Sequence, residues 1–289
     1  TVETWRGEGA LVAFEFGTLS QNSVAHLELL ELVAKSGAAK VVGAGTDEAA
    51  TVALAGLFGH IRETDFGRLF DIVFEGDAWT KSQTSDALDP HTDDPYRYTP
   101  SGASVLHCVE STAEGGDSIL VDGFAVAADL RHRSSEMFEI LSTTAVPFIR
   151  HRGSVVDQGE DVHLIAKAPI IAVDGNGAVC GVRFHERSMG VLDLDPDTMG
   201  DYYRALIRFT SMVTDADYST TIRLEPGDAL LFDNQRVLHG RTAFDGRVGR
   251  RHIRLCTVDR DQFHSRLRRL RETHERTGID SWLPAGNLS

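Results

Sequence analysis

Apolar and polar positions along the chain fall into short alternating runs broken by glycine turns, with a few stretches at helical spacing between them. In SVAHLELLELVAKSG, residues 23–37, apolar side chains recur every three or four positions and the run ends on Gly37. That pattern predicts a helix with its C-terminal cap. AATVALAGLFGHI (49–61) predicts a second, more buried helix, and FGRLFDIVFE (66–75) alternates like a strand. SGASVLHCVE (101–110) and GGDSILVDG (115–123) are short strand-like runs bounded by glycine. DGFAVAADLR (122–131) and SSEMFEILSTT (134–144) follow as helices, the second with Ser134 or Ser135 as its N-terminal cap.

The second half predicts a hairpin, HLIAKAPIIAVD (163–174) and AVCGVRFHE (178–186) around the turn DGNG. DPDTMGDYYRALIRFTSMVTDA (195–216) carries the longest helical pattern. STTIRLEPGDALLFDNQRVLHGRTAF (219–244) reads as strand, EPGD turn and strand, and RRHIRLCTVDRD (250–261) precedes a basic amphipathic helix, SRLRRLRETHER. Many short strands with a few outer helices indicate an α+β chain, mainly β: a jelly-roll-like double sheet with helical cover. Without repeats or a Pro/Ser-rich linker, residues 1–289 read as a single domain.

Composition narrows the function classes. A chain of 289 residues with 42% hydrophobic content can bury a substantial core. A formal net charge of −14 argues against nucleic acid or an anionic membrane as the main partner, since both reward a cationic surface. Cys108, Cys180 and Cys256 are far apart and odd in number, so neither a disulfide framework nor zinc-finger spacing is present, and a reducing cytoplasm is the expected setting. No apolar run reaches the length of a membrane span.

The chemistry concentrates in HTDDPYRYTP, residues 91–100. On a strand, residues i and i+2 share a face, so His91 and Asp93 can aim at one point. A third ligand would complete a two-His, one-carboxylate face that leaves the opposite coordination positions open, which suits non-heme iron(II). Among twelve histidines His239 is the best candidate, because it follows an apolar strand and precedes Gly240, where backbone can approach closely. His107, His163, His185 and His252 are rivals on residue type. Arg250, Arg251 and Arg254 follow on a strand-like run, and an arginine fork matches a carboxylate in two-point fashion. Arg247 reads as a surface residue.

HTDDPYR, then LHCVESTAEGGDSILVDGF, then EPGDALLFDNQRVLHGRTAF and RRH together resemble the Fe(II)/2-oxoglutarate dioxygenases of the γ-butyrobetaine hydroxylase and trimethyllysine hydroxylase type, relatives of taurine dioxygenase. The resemblance spans roughly residues 75–270. It implies a double-stranded β-helix (jelly-roll, cupin-like) core and iron held by His91, Asp93 and His239. It also implies 2-oxoglutarate as co-substrate, its distal carboxylate held by Arg251 with Ser118, and Arg250 as the fallback. The reaction implied is hydroxylation of an unactivated C–H with O2, releasing succinate and CO2. Retention of Asp93 favours hydroxylation, since halogenases of the superfamily lack that carboxylate. Relatives that dimerise make a homodimer the expected assembly.

The departures bear on the substrate. No cysteine precedes Cys108, so the zinc module of γ-butyrobetaine hydroxylase is not expected upstream. The family's aromatic cage for a trimethylammonium group has only Phe66, Phe70 and Trp79 as counterparts, and Thr257 stands where tyrosine is frequent. WTKSQTSDALD (79–89) is longer than its counterpart. A thinned cage suits a less cationic, carboxylate-bearing small molecule, such as a secondary-metabolite intermediate. Tyr96, Tyr98, Arg187 and His185 are further candidate contacts, with Arg97 between the two tyrosines. The alternatives are a quaternary-amine hydroxylase, a metal-dependent hydrolase or isomerase on a cupin-like core, and a non-catalytic jelly-roll binding module.

Overall fold

The computed structural model describes residues 2–7, 11–74, 81–152 and 162–275. Trp79 lies outside them. From the N-terminus, β1 (Ala13–Glu15) leads into α1 (Phe16–Gln21), α2 (Ser23–Ser36), β2 (Ala38–Val42), α3 (Glu48–Gly56), β3 (Phe70–Val73), β4 (Leu88–His91), β5 (Ala103–Ser111) and β6 (Ser118–Asp122). There follow α4 (Gly123–Arg133), α5 (Ser135–Thr143), β7 (Val146–Arg152), β8 (Val162–Ala168), β9 (Ile171–Val173) and β10 (Val179–Val182). The chain closes with α6 (Pro196–Val213), β11 (Ser219–Ile222), β12 (Ala229–Asp233), β13 (Val237–Arg241), β14 (Arg251–Val258) and α7 (Arg260–Thr273). No described helix is long and apolar enough to cross a membrane.

Helix starts follow local chemistry. Asn22, Asp47, Asp122, Ser134 and Asp195 each accept hydrogen bonds from the free N–H groups that open α2, α3, α4, α5 and α6, and Pro196 sits where its missing N–H costs nothing. Gly37 ends α2 in the left-handed conformation, φ 92°, as its position in the sequence predicts.

Two larger sheets organise the described residues. One has the strand order β1-β2-β12-β5-β14-β3, the other β11-β6-β13-β4. Strand alternation distributes their side chains into three apolar layers. On β12, Ala229 and Leu231 pack with α2, α3 and α7, whereas Leu230 and Phe232 pack with Leu120 of β6 and Val237 of β13. On the second sheet, Val121 and Leu238 turn the other way, onto α4, α5 and α6. Leu120, Val237, Leu230, Phe232 and Ile253 therefore fill a space between the two sheets, and each sheet carries helices on its outer face. This is the α+β architecture the pattern predicts.

Several details differ from the sequence expectation. The run 163–174 is not one hairpin arm: it breaks at Pro169, β8 pairs back with β7, and only β9 pairs with β10 across the DGNG turn. The second helix stops at Gly56 rather than running to Ile61, which instead bridges to Val258. The strands β1, β2 and β7 carry no turn signal that the pattern alone exposes. β2 starts directly at the cap of α2, so its short apolar run reads as the tail of the helix.

Candidate metal centre and adjoining pocket

β13 and β4 are adjacent antiparallel strands, and their register sets His239 directly opposite His91. Because Val237 points between the sheets and Leu238 out to the helices, His239 points inward again. Gly240 permits the pairing: a Cβ there would lie 2.4 Å from the Leu88 carbonyl oxygen, far inside contact distance. The predicted role of this glycine as a point of close approach is what the structure displays.

Asp93 reaches the same point by another route than expected. β4 ends at His91, and Asp93 stands on a bend beyond it, so the i, i+2 strand geometry does not apply. The bend is held by the buried amide of Asn234, in the connection between β12 and β13. Asn234 Oδ1 accepts from the Asp93 N–H at 2.8 Å, and its Nδ2 donates to the carbonyls of Asp93 (3.0 Å) and Ser101 (3.1 Å). The next residue, Asp94, takes a positive φ of 56° and accepts from Tyr96 Oη (2.9 Å) and Ser101 Oγ (2.6 Å).

The result is a compact donor set. One ligand atom from each of His91, Asp93 and His239 lies within 4.8 Å of the others. Asp93 Oδ1 is 3.6 Å from His91 Nε2, and its Oδ2 is 3.5 Å from His239 Nε2. His91 Nδ1 is 2.9 Å from the Asp89 carbonyl, which fixes that nitrogen as the donor and orients the ring with Nε2 toward Asp93. Among the described residues, Asp93 Oδ2 and His239 Nδ1 are buried without a hydrogen-bond partner. Burial pushes the His239 imidazole down to about 4. Burial would raise the Asp93 carboxyl, but His239 and His91 outweigh it and hold it well below the usual range. The set is two imidazoles and a carboxylate with an unsatisfied buried oxygen, the donor chemistry of a divalent-cation site.

His185 completes the floor, its ring centroid 4.4 Å from that of His91. Burial, then the neighbouring His91, pushes it far below the ordinary histidine range. His107 and His252, rivals in the sequence, lie elsewhere. His107 is a satisfied core residue bonded to Thr51 Oγ1 (2.7 Å) and the Gly45 carbonyl (2.9 Å), and His252 pairs with Asp71 at 2.5 Å. His163 faces His151 across the β7–β8 ribbon.

The triad sits in a cavity of about 750 Å³, together with Ser118, Arg251, Phe66, Phe70, Tyr96, Arg187 and Thr257. Strand parity decides which arginine enters. On β14, Arg251, Ile253, Leu255 and Thr257 line the cavity, joined near the strand's end by Cys256, while Arg254 turns outward to Asp71 at 2.8 Å. Arg250 is a correction to the sequence reading: it is exposed and faces Glu110 at 3.4 Å, away from the cavity. Arg251 donates from Nε to the Gly116 carbonyl (2.8 Å) and has no carboxylate partner among the described residues. Burial, then the nearby Arg241 cation, pulls it down to about 9, so it stays charged at neutral pH. Ser118 opens β6 opposite Arg241 and is buried in the same wall. Tyr98 is a second correction, since it is 90% exposed and is not among the described residues that line this cavity. Arg247 is a surface residue paired with Asp245, as expected.

Three residues of this site escaped the sequence reading. Asn234 and Arg150 act across more than eighty positions, and only the side-chain spacing of the folded chain reveals them. Arg241 follows Gly240 and is buried, donating to the carbonyls of Ser82 (2.8 Å), Thr84 (2.8 Å) and Asp86 (2.7 Å), so it ties the segment before β4 to the cavity wall. The HGR triplet was the available signal for it.

Residues 8–257 match the model of the family described as taurine catabolism dioxygenase TauD, TfdA family. The chain belongs to this dioxygenase family. It is 37% identical over 263 residues to the gamma-butyrobetaine dioxygenase of Pseudomonas sp. (strain AK-1), covering 91% of this chain and 67% of that one. It is 30% identical over 276 residues to the Homo sapiens gamma-butyrobetaine dioxygenase, covering 94% and 70%. A taurine dioxygenase from Burkholderia xenovorans shares its fold, with TM-score 0.64, 15% identity and coverage of 88% and 89%. Membership makes the chain an enzyme of the dioxygenase class and sets aside the metallohydrolase and the non-catalytic module as readings.

Proposed function

We propose that this TauD/TfdA member is an Fe(II)- and 2-oxoglutarate-dependent hydroxylase. Its substrate is a small molecule bearing a carboxylate, hydroxylated at an unactivated C–H, and its two facing sheets form a double-stranded β-helix. One observation carries the reading. A two-His, one-carboxylate donor set within 4.8 Å shares a cavity with Arg251, a half-buried cation that has no carboxylate partner among the described residues.

The residues fit an iron(II) ion: His91 and His239 would offer imidazole nitrogens and Asp93 a carboxylate with an orphaned oxygen, all lining the cavity. Bound there, iron(II) supplies the activation of O2 that couples decarboxylation of 2-oxoglutarate to insertion of one oxygen atom into the substrate and one into succinate. The chain's own residues do the rest. The Asp89 carbonyl holds the His91 ring so that Nε2 faces the site. Asn234 fixes Asp93 through both of its backbone groups. Arg251 and Ser118 receive the distal carboxylate of 2-oxoglutarate, the former as a charged two-point donor. Leu106, Ile253 and Leu255 line the cavity with apolar surface and keep water from the reacting atoms.

The test is spectroscopic. Anaerobic iron(II) and 2-oxoglutarate should produce a weak visible charge-transfer band, and admission of O2 should release succinate. Intact protein that gives neither overturns the assignment. The second reading is a quaternary-amine hydroxylase, supported by the 37% identical relative and by the Phe66–Phe70 pair, ring centroids 4.8 Å apart, in the cavity wall.

A further inference from the structure

Resting on that reading, the geometry points to Arg150 of β7 as the anchor for the substrate's own carboxylate, on the wall where a quaternary ammonium would otherwise stand. Arg150 lines the cavity that holds the metal ligands. Its guanidinium carbon stands 4.2 Å from the centroid of the Phe66 ring and 5.6 Å from that of Tyr96. Ring faces are what a tetraalkylammonium requires, and here a cation belonging to the protein already occupies two of them. A second cation against the same faces would meet like charge.

The donors of Arg150 are only partly used. Its Nε donates to Asp65 Oδ2 at 2.8 Å, which orients the guanidinium, and its two terminal nitrogens have no protein partner among the described residues. Asp65 also pairs with Arg97, and Arg97 with Asp94 at 3.4 Å, so these four groups balance one another. Attraction for an anion therefore comes from unengaged donors rather than from a local excess of charge. Arg68 and Arg187, which also line the cavity, add to it, for neither has a carboxylate within ion-pair distance among the described residues. Tyr96 follows Asp93 by three positions, which sets the Arg150 wall beside the metal ligands.

A substrate of this description binds by its acid through the two free Arg150 nitrogens, with its chain extending toward the metal centre. Its class is a small carboxylate in which a quaternary ammonium contributes nothing to affinity.

The test uses the full chain loaded anaerobically with iron(II) and 2-oxoglutarate, and calorimetric binding of three matched probes. These are γ-butyrobetaine, its isostere with a quaternary carbon in place of nitrogen, and butyltrimethylammonium, which keeps the cation and lacks the acid. Wild-type protein should bind the carbon isostere at least as tightly as γ-butyrobetaine, and butyltrimethylammonium roughly tenfold or more weakly. Arg150→Gln should weaken both carboxylates roughly tenfold or more, and Arg150→Lys should restore part of the loss. Three results overturn the anchor: butyltrimethylammonium binding as well as the carboxylates, carboxylates that do not bind wild-type protein, or Arg150→Gln leaving their affinity unchanged. The visible band read on the same wild-type sample separates the two levels. Its absence sinks the hydroxylase reading and the anchor with it, whereas its presence with undiscriminated probes sinks the anchor alone.

Discussion

At the scale of single residues, the metal centre depends on side chains that touch no ligand. Asn234 is fully buried and serves the N–H and C=O of Asp93 and the carbonyl of Ser101. Asn234→Ala strands these groups in the interior, where each unpaired group costs about 1–3 kcal/mol. The expected outcome is a lower unfolding midpoint together with weaker iron retention, read by denaturation and by metal content after dialysis. Arg251→Ala removes the cation proposed for 2-oxoglutarate and should raise the concentration needed for half-maximal succinate release by roughly tenfold or more. Arg250→Ala should leave that concentration unchanged, because Arg250 lies outside the cavity beside Glu110. Reversal of the two phenotypes would show that the register of β14 is misread.

At the scale of elements, the pairing of β4 with β13 brings two metal ligands together, and Gly240 sets how closely they approach. Gly240→Ala would press a methyl group to 2.4 Å from the Leu88 carbonyl oxygen, a backbone atom that cannot swing aside. Separation of the two strands should therefore abolish iron binding, even where circular dichroism shows the helices intact. α7 carries a different dependence. Burial, then the neighbouring Arg260 cation, pushes His264 down to about 4 from its ordinary 6.5. A histidine depressed in the folded state binds its proton more readily when unfolded, so its stabilising contribution is complete above pH 6.5 and is lost as the pH falls toward 4. At about 1.4 kcal/mol per unit over the fall from 6.5 to about 4, this amounts to at most about 3–4 kcal/mol. His264→Gln should flatten the acid limb of urea midpoint against pH relative to wild type, and parallel limbs would refute the assignment.

At the scale of the whole molecule, Arg236 and Asp122 form an ion pair that is 2% and 0% exposed. Arg236 donates to both Asp122 oxygens and to the carbonyls of Lys35 and Glu3, while Asp122 also caps α4 and accepts from the Trp5 N–H. The pair thus joins the N-terminal segment, the end of α2, the β6–α4 junction and the β12–β13 connection. Arg236→Met leaves Asp122 buried without its cation, and a loss of about 3–5 kcal/mol is expected. Equilibrium denaturation checks it, and a change below about 1 kcal/mol would mean that water replaces the guanidinium. The metal site lies between the two sheets at the strands this pair helps to hold, so stability and metal retention should fall together.

The sequence by itself determined the helices and the identities of the metal donors. Helical spacing and side-chain caps act within a few residues, which is why α2, α5 and α6 could be read directly, and His91, Asp93 and His239 stand in stretches with a specific pattern. Only the tertiary structure decided which face of each strand is the inner one. Arg250 and Arg251 are equivalent as letters, and the pairing of β14 with β5 makes one a surface residue and the other a cavity wall. The bend at Asp93, the unengaged donors of Arg150 and the exposure of Tyr98 arise the same way: each depends on partners distant in the chain, and such contacts exist only once the sheets have formed.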